Sequence, residues 1–454
     1  MDLRIAEKLI KKCMGSHEQF ITQSSVGWAY YKNENDIKRS TPLDGLRKKA
    51  EAEVNVLRNA DFRIPHNWHQ LLVNQKVAYL FTYPPSFDVG NDSQNAKVTE
   101  ILGDSFAKKV KNLSIEASNT GVAWLHCWVS DVGKFCYGNV PSSQIVPIYS
   151  DRLDSTLDAV LRTYTARDDT GDEITKYEIW TDKEASFFEQ KGKAGLMAAQ
   201  LNDEGANSIT HDMGYVPFVP FYNNGTKTGD LPMYKELIDQ YDLVISGFAN
   251  DLADIQEVIF VLRNYGGEDL NTFLSDLKRY KAVKVEGDSN SSGGGVETMQ
   301  IEIPVEARVK FLDLLKKQIF VSGQGVDPDP ENFGNSSGVA LKYLYSLLEI
   351  KAGLLETEFR AGFSQLLKLI FHYTKMNEDT RIQQIYIRNS IENDLETAQI
   401  AAQSIGIISQ KSILQNHPWV EDVEAELKQL DEESMEELDN YGSAVGGDAN
   451  DQEK

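Results

Sequence analysis

Residues 331–345 read ENFGNSSGVALKYLY, and Gly334-Asn335-Ser336-Ser337-Gly338 within them spells G-x-S-x-G, the pattern that holds the nucleophilic serine of many hydrolases. A nucleophile elbow needs a buried strand feeding the serine and a helix leaving it. The helix is there: Leu344, Leu347, Leu348, Leu355, Phe359, Phe363, Leu366, Leu367 and Ile370 recur at three- and four-residue steps, the stripe of an amphipathic helix. Nothing breaks it firmly before Lys375, although Gly353 and Gly362 weaken it. The strand is not there. Asp327-Pro328-Asp329-Pro330-Glu331-Asn332 precedes the motif, and two prolines among four polar residues cannot line a sheet interior. The bases that the required chain order allows are His372, inside the same long helix, and His417. The structural reading is simpler: Ser336 or Ser337 caps the helix, and Gly334 and Gly338 let the loop approach its neighbours closely. A polar loop thus enters a helix of about 38 residues, roughly 57 Å at 1.5 Å per residue.

Working outward, the segment before this loop is also helical. VEARVKFLDLLKKQIFVSG (305–323) carries Arg308, Lys310, Lys316 and Lys317 against Glu306 and Asp313, and Gly323 and Gly325 stop it, in keeping with the glycine preference at helix C-termini. Residues 264–304 differ: EDLNTFLSDLKRY is helix-like, and KAVKVEG and VETMQIEIP flank the Gly/Ser run GDSNSSGGG. That pattern predicts a small α+β insertion with two strands around a flexible loop. From 231 to 262, Tyr234, Leu237, Ile238, Tyr241, Ile245, Phe248, Leu252, Ile255, Ile259 and Leu262 form another helical stripe. Its charges are Glu236, Asp239, Asp242, Asp251, Asp254 and Glu257 against Lys235 alone, a solvated acidic face on the plainest reading.

The N-terminal half has two characters. Residues 1–120 are mostly helical in pattern, including LRKKAEAEVNVLRN and the apolar LLVNQKVAYLF. Residues 121–224 turn β-rich: GVAWLHCWVSD, KFCYGNV and SQIVPIYSD are short, β-branched and aromatic, AVLRTYTARDDTGDEITKYEIWTD spells two strands around a Gly-containing turn, and MGYVPFVPFYNN closes the region. The fold class is therefore α+β, predominantly helical. At 454 residues the chain passes the size at which one hydrophobic core stops growing, so two or more domains are expected.

Charge and composition narrow the function classes. The net charge is −23, and residues 421–454 hold thirteen Asp and Glu against Lys428 and Lys454. Proteins that grip nucleic acid do so with basic patches, and no dominant one is present. No apolar run is long enough for a bilayer, and MDLRIAEKLIKKC lacks the apolar core of a secretory signal, so a cytoplasmic chain is expected. Cys13, Cys127 and Cys136 form no disulfide framework; Cys127 and Cys136 flank a turn and are read as reduced thiols on paired strands. Asn224-Gly225-Thr226-Lys227-Thr228 has the wrong glycine spacing for a phosphate cradle. His66 and His69 sit beside Pro65 and Trp68, a setting for packing rather than for metal. No cofactor is implied.

The order of segments resembles the portal (head–tail connector) proteins of tailed bacteriophages, in particular those of siphophages of Gram-positive hosts. Tyr30-Tyr31-Lys32-Asn33-Glu34-Asn35-Asp36-Ile37 is similar to that family's Y-Y-x-x-x-x-D-I signature, and NWHQLLVNQKVAYLF (67–81) followed by Pro84 to its N-x-x-x-x-L-V-x-x-K-x-x-Y-L-F segment. GYVPFVPFYNN, LIDQYDLVISGFANDLADI and FGNSSGVALKYLY complete the resemblance. It implies a wing made of 1–230 and the long helix 338–375, stem helices at 231–264 and 305–322, a clip at 265–304, a tunnel loop at 323–337, a helical crown at 376–437 and a disordered acidic tail at 438–454. It also implies a non-enzymatic ring, typically of twelve copies, at one capsid vertex of the virion, assembled in the host cytoplasm. Double-stranded DNA would pass through it without sequence specificity. Terminase large subunit, head-completion adaptor, major capsid and scaffolding proteins would be its partners, with no membrane.

On that reading Gln324, Asp327, Asp329, Glu331, Asn332 and Asn335 face the DNA, and Gly334, Ser336, Ser337 and Gly338 form the hinge into the wing helix. Asp239, Asp242, Asp251 and Asp254 would line the stem channel and repel phosphate, while Lys316 and Lys317 give weak, salt-sensitive contacts. A cytoplasmic serine hydrolase using Ser336 is the competing reading.

Overall fold

Asp2 accepts a hydrogen bond from the Arg4 amide at 2.9 Å and so caps α1 (Leu3–Tyr31), satisfying one of the amides a helix start leaves orphaned. The computed structural model describes residues 1–39, 60–254 apart from 154, 169, 193 and 202–204, then 259–263, 295–299, 304–329, 338–389 and most of 394–435. They fall into two units, Met1–Gly325 with Leu347–Arg388, and Val326–Ser346 with Asn389–Lys454.

In the larger unit α1 is followed by α2 (Trp68–Phe81), the short strand β1 (Ser86–Asp88), α3 (Asp92–Leu102) and α4 (Phe106–Thr120). The strands expected from the β-rich region then appear in order: β2 (Val122–Val129), β3 (Phe135–Val140), β4 (Ile145–Tyr149), β5 (Leu157–Arg167), β6 (Glu173–Trp180), β7 (Glu184–Lys191), β8 (Met197–Ala198), β9 (Ser208–Thr210) and β10 (Phe218–Tyr222). They make an antiparallel six-stranded sheet in the order β4-β5-β6-β7-β8, with β9 on β7, and a three-stranded sheet in the order β10-β2-β3. The β5–β6 turn is held by Asp168, whose carboxylate accepts from the Thr170 and Asp172 amides at 3.0 and 2.9 Å, with Gly171 at φ 89° supplying the left-handed residue. Cys127 and Cys136 lie in adjacent registers of β2 and β3, and all three thiols are free.

The chain continues into α5 (Lys235–Asp254), β11 (Ile259–Arg263), β12 (Gly295–Met299), α6 (Val305–Ser322), the 37-residue α7 (Gly338–Thr374) and β13 (Gln383–Ile385), which pairs with β1. α7 explains the main core. Leu355, Phe359, Phe363, Leu366, Leu367, Ile370 and Phe371 are fully buried among Leu113 and Ala117 of α4, Leu125 of β2, Phe221 of β10 and Phe81 of α2. Gly362 lets α7 come close to β10: an added Cβ would sit 2.7 Å from the Phe221 ring. A second cluster seats the start of α1, through Ala6 and Ile10, on Leu161, Tyr177, Ile179 and Phe188 of the six-stranded sheet.

Gly27 is where α1 crosses α4, and a Cβ there would overlap the Asn119 carbonyl oxygen. Backbone cannot retreat as a side chain can, so Gly27→Ala is expected to destabilise the fold by about 1–3 kcal/mol, the usual cost of overpacking. Urea unfolding measures it, and an unchanged midpoint would contradict that packing.

The structure corrects one helix. The stripe from 231 to 262 predicts a single helix, but α5 ends at Asp254 and Ile259–Arg263 is a strand paired antiparallel with Gly295–Met299. VIFVLR is a continuous apolar, β-branched run, which fits a helical period as easily as a strand, and its β propensity wins. The expected partner strand KAVKVEG lies outside the described residues, as do LRKKAEAEVNVLRN, the Gly/Ser run and the acidic tail. In the smaller unit α8 (Asp394–Gln403) and α9 (Gln410–Gln415) realise part of the expected C-terminal helicity. No helix among the described residues is long and apolar enough to cross a membrane.

Candidate functional site

α5 and α6 pack side by side as a helical pair. Arg308 of α6 reaches Asp251 of α5 at 2.6 Å and lies over the Phe248 ring. At the root of the pair Ile319 and Phe320 of α6 are buried with Ile238 of α5, Tyr234, Tyr30 of α1 and Leu72 of α2. Trp68 closes the root, edge-on to both Tyr241 and Phe320. The opposite side of α6 is also apolar. Phe311, Leu314 and Val321 are 43, 52 and 47 % exposed, and with Ala307 and Gln318 they recur at steps of four and three, the spacing of a helix seam.

The carboxylates expected to line a channel are placed otherwise. Asp242 is fully buried; it accepts from the Asn35 side chain at 2.6 Å, from the His66 amide at 3.0 Å and bonds the His66 ring at 2.8 Å. Asp239 bonds Lys235 at 2.6 Å and accepts from the Tyr30 hydroxyl. Asp251 pairs with Arg308, and the Asp254 side chain lies outside the described residues. The polar face of α5 is in fact a rail for the extended segment at 62–66. His66, Ile64 and Phe62 donate their backbone amides to Asp242, Ser246 and Asn250 at 3.0, 3.0 and 2.6 Å. One turn-and-a-bit of helix advances about 6 Å per four residues, and two residues of extended chain about 6.6 Å, so every second strand residue meets every fourth helix residue. Asp242 is thus a structural carboxylate, and Asp239 and Asp251 are engaged by Lys235 and Arg308. On α6, Lys317 is exposed and Lys316 half-buried.

Behind the root lies a charge cluster that sequence reasoning did not single out. Lys76 of α2 donates to Asp230 at 2.7 Å and to Asn223 at 2.7 Å; Asn223 donates to the other Asp230 oxygen at 2.8 Å; Lys351 of α7 ion-pairs Asp230 at 3.1 Å. All four are buried. Burial lowers the Lys76 ammonium to about 8 even with Asp230 beside it, and although burial alone would raise Asp230, Lys351 and Lys76 hold its carboxyl well below the usual range. The signal was one lysine inside the otherwise apolar run LLVNQKVAYLF. His69 belongs to the same core: Nε2–H donates to Asn119 Oδ1 at 2.9 Å, leaving Nδ1 to accept from the Tyr234 hydroxyl at 2.7 Å. No group of possible metal ligands exists among the described residues.

Lys351 also donates to the carbonyl of Gly323 at 2.9 Å, where α6 ends. Gly325 N–H bonds the Phe320 carbonyl at 2.9 Å and Gln324 N–H the Val321 carbonyl at 3.2 Å, which is a Schellman turn. Its left-handed residue is Gln324, at φ 52°, rather than a glycine. The glycines stand on either side, because a Cβ on Gly323 or Gly325 would run into Leu72. Beyond this turn the Asp329 amide donates to Asp327 at 3.3 Å. Glu331, Asn332, Gly334, Asn335, Ser336 and Ser337 lie outside the described residues, and Gly338 begins α7. The histidines a hydrolase would need are engaged: His372 Nδ1 bonds Glu378 at 2.8 Å, and His417 Nδ1 accepts from the Trp419 amide at 3.4 Å. The Asn224 loop has turned its donors inward, with Asn224 Oδ1 accepting from the Thr226 and Thr228 amides at 3.1 Å each, so it offers no phosphate cradle.

The family model described as phage portal protein, SPP1 Gp6-like, matches residues 10–439. The chain belongs to this portal family. A portal protein of Clostridium phage phiCD119 is 47 % identical over 423 residues, 90 % of this chain and 92 % of that one. The portal protein of Bacillus phage SPP1 is 31 % identical over 444 residues, 93 % of this chain and 86 % of that one. A solved chain from the neck of a native GTA particle, computed with C12 symmetry, matches at TM-score 0.40 and 11 % identity over 76 % of this chain and 86 % of that one, too distant a likeness to bear on the fold. The resemblance expected from the motifs is thus established for the family, and the hydrolase reading finds no support among these relatives.

Proposed function

We propose that copies of this portal protein, twelve in the complete assembly, close into a ring at one capsid vertex, through which DNA enters during packaging and leaves at ejection. The observation that carries the reading is the second apolar stripe of α6. This helix buries Leu315, Ile319 and Phe320 against its own chain and still exposes Phe311, Leu314 and Val321 at seam spacing. A second copy is the natural occupant, because a head-to-tail contact repeated around an axis closes a ring. In that arrangement 1–230 with α7 form the wing, α5 and α6 the stem, the segment between them the clip, 323–337 the tunnel loop and 376–437 the crown. The clip would meet terminase during packaging and the head-completion adaptor afterwards, while the wing and crown would meet capsid and scaffolding proteins.

In that arrangement the tunnel loop, with Asp327, Asp329 and Glu331 beside Asn332 and Asn335, would bring negative charge to the DNA path and repel phosphate. Exposed Lys317 and half-buried Lys316 would add weak phosphate contacts that fade with salt. Negative-stain electron microscopy tests the ring: wild-type protein should show rings with a central hole, and monomers or dimers at high concentration would sink the reading. The double variant Phe311→Asp, Leu314→Asp puts two charges into the seam and should leave folded monomers; rings from that variant would show that the stripe is not the contact.

A further inference from the structure

We propose that Lys351 is a positioning residue for the tunnel loop: its ammonium, held against the Gly323 carbonyl, sets the backbone of the turn from which that loop departs. The effect on DNA passage rests on the ring reading above; the effect on the turn does not.

The charge count of the buried cluster is the starting point. Asp230 already has Lys76 at 2.7 Å and Asn223 at 2.8 Å, so one cation and one amide satisfy its two oxygens. Lys351 makes a second buried cation for one carboxylate. Replacing Lys351 with an apolar side chain of like length would still leave Asp230 one cation, Lys76. The ion pair with Asp230 is therefore not the whole role of a lysine at this position. Besides Asp230 and the Tyr234 ring, 5.6 Å away, it meets the last turn of α6, where orphan carbonyls and the helix dipole favour a cation.

The turn that receives it is over-determined. Gln324 holds a left-handed φ of 52°, a conformation unfavourable for any residue with a Cβ. Such strain persists only where surroundings enforce it, and it gathers at functional sites. Here the surroundings are Leu72 of α2 pressed against Gly323 and Gly325, and Lys351 of α7 on the Gly323 carbonyl. The tether has a topological consequence. Lys351 belongs to the helix that the chain re-enters at Gly338 after the loop. It therefore fastens the turn at the end of α6 to the body of the helix that follows the loop in sequence.

The test compares full-length wild type, Lys351→Met and Lys351→Arg. Hydrogen exchange reads the amides of Gln324 and Gly325, whose bonds to Val321 and Phe320 close the turn. In Lys351→Met they should exchange roughly tenfold faster, while amides of the six-stranded sheet and the thermal midpoint stay as in wild type; Lys351→Arg, which keeps a donor, should restore protection. Packaged DNA from particles built with each variant should fall severalfold for Lys351→Met, with rings still formed. Unchanged exchange at 324–325 would overturn the proposal, and so would faster exchange spread over the whole unit with a lowered midpoint. A local rise in exchange with normal packaging would overturn the link to DNA passage. Wild-type rings that take up no DNA would instead overturn the portal-channel reading and leave the exchange result to decide the role of Lys351 on its own.

Discussion

Asp230→Asn should lower folding stability by about 3–5 kcal/mol, the cost of breaking a buried ion pair by removing one partner. The substitution is nearly isosteric, and the Asp230 amide keeps its 2.8 Å bond to the Ser118 carbonyl, so geometry is not what fails. What fails is compensation. Lys76 and Lys351 are 1 and 6 % exposed, and both would lose the one carboxylate partner they have among the described residues. Lys76 is already lowered to about 8 by burial with Asp230 in place; without it the amine would deprotonate or draw in water, and either route costs stability. Adding Lys76→Met to Asp230→Asn should recover part of the loss, since one of the two stranded cations is then gone and neighbouring effects do not add. Circular-dichroism melts of the two variants against wild type make the comparison. A loss below about 1 kcal/mol for the single variant would show that the cluster is screened by water, contrary to the burial seen here.

How much of this was legible beforehand follows from what each signal measures. Hydropathy period placed α6 at 305–322, its observed bounds, and placed α7 within one residue of its end, because those stripes are long and capped by glycine or polar loop. The same signal overran α5 by including Ile259 and Leu262, where an apolar run satisfies either period. Composition suggested a solvated acidic face on α5 and the family resemblance a channel role for it, yet Asp242 is a buried acceptor. Its partners Asn35 and His66 lie about 200 residues away in sequence, beyond the reach of any local pattern. His66 and His69 lie in packed surroundings, and their particular partners, Asp242, Tyr234 and Asn119, are again long-range. Lys76 was visible as an odd charge in an apolar segment. Asp230 and Lys351 carried no comparable mark, since one sits in a polar turn and the other on a helix whose buried face is fixed only by long-range packing.

Buried histidines set the acid limit of the fold. His69 is fully buried, and desolvation lowers its pKa to about 4 despite the bond to Asn119 and the nearby Asp230. His126, stacked on Phe218 at 4.3 Å and beside Trp128, is lowered by burial to about 4 as well, and burial lowers His17 and His211 in the same direction. Above about pH 6.5, the ordinary histidine value, folded and unfolded chains are both neutral at these sites and stability is at its full value. As pH falls below 6.5 the unfolded chain takes up protons that the folded chain refuses. Stability then drops by about 1.4 kcal/mol per pH unit for each such site, until the folded histidine titrates near 4. His69 alone accounts for about 3 kcal/mol across that window, and the others add in the same sense. Asp230 does not share the window: its depressed carboxyl stays ionised in the fold throughout, so its contribution is lost only at lower pH. Urea unfolding at pH 7.5, 6.5, 5.5 and 4.5 should therefore be flat over the first step and fall over the next two. His126→Phe, which keeps the stack on Phe218 but cannot titrate, should make the fall shallower whatever it does to stability at pH 7.5. A profile that stays level down to pH 4.5, or an unchanged slope in His126→Phe, would mean that these rings are not held neutral by burial.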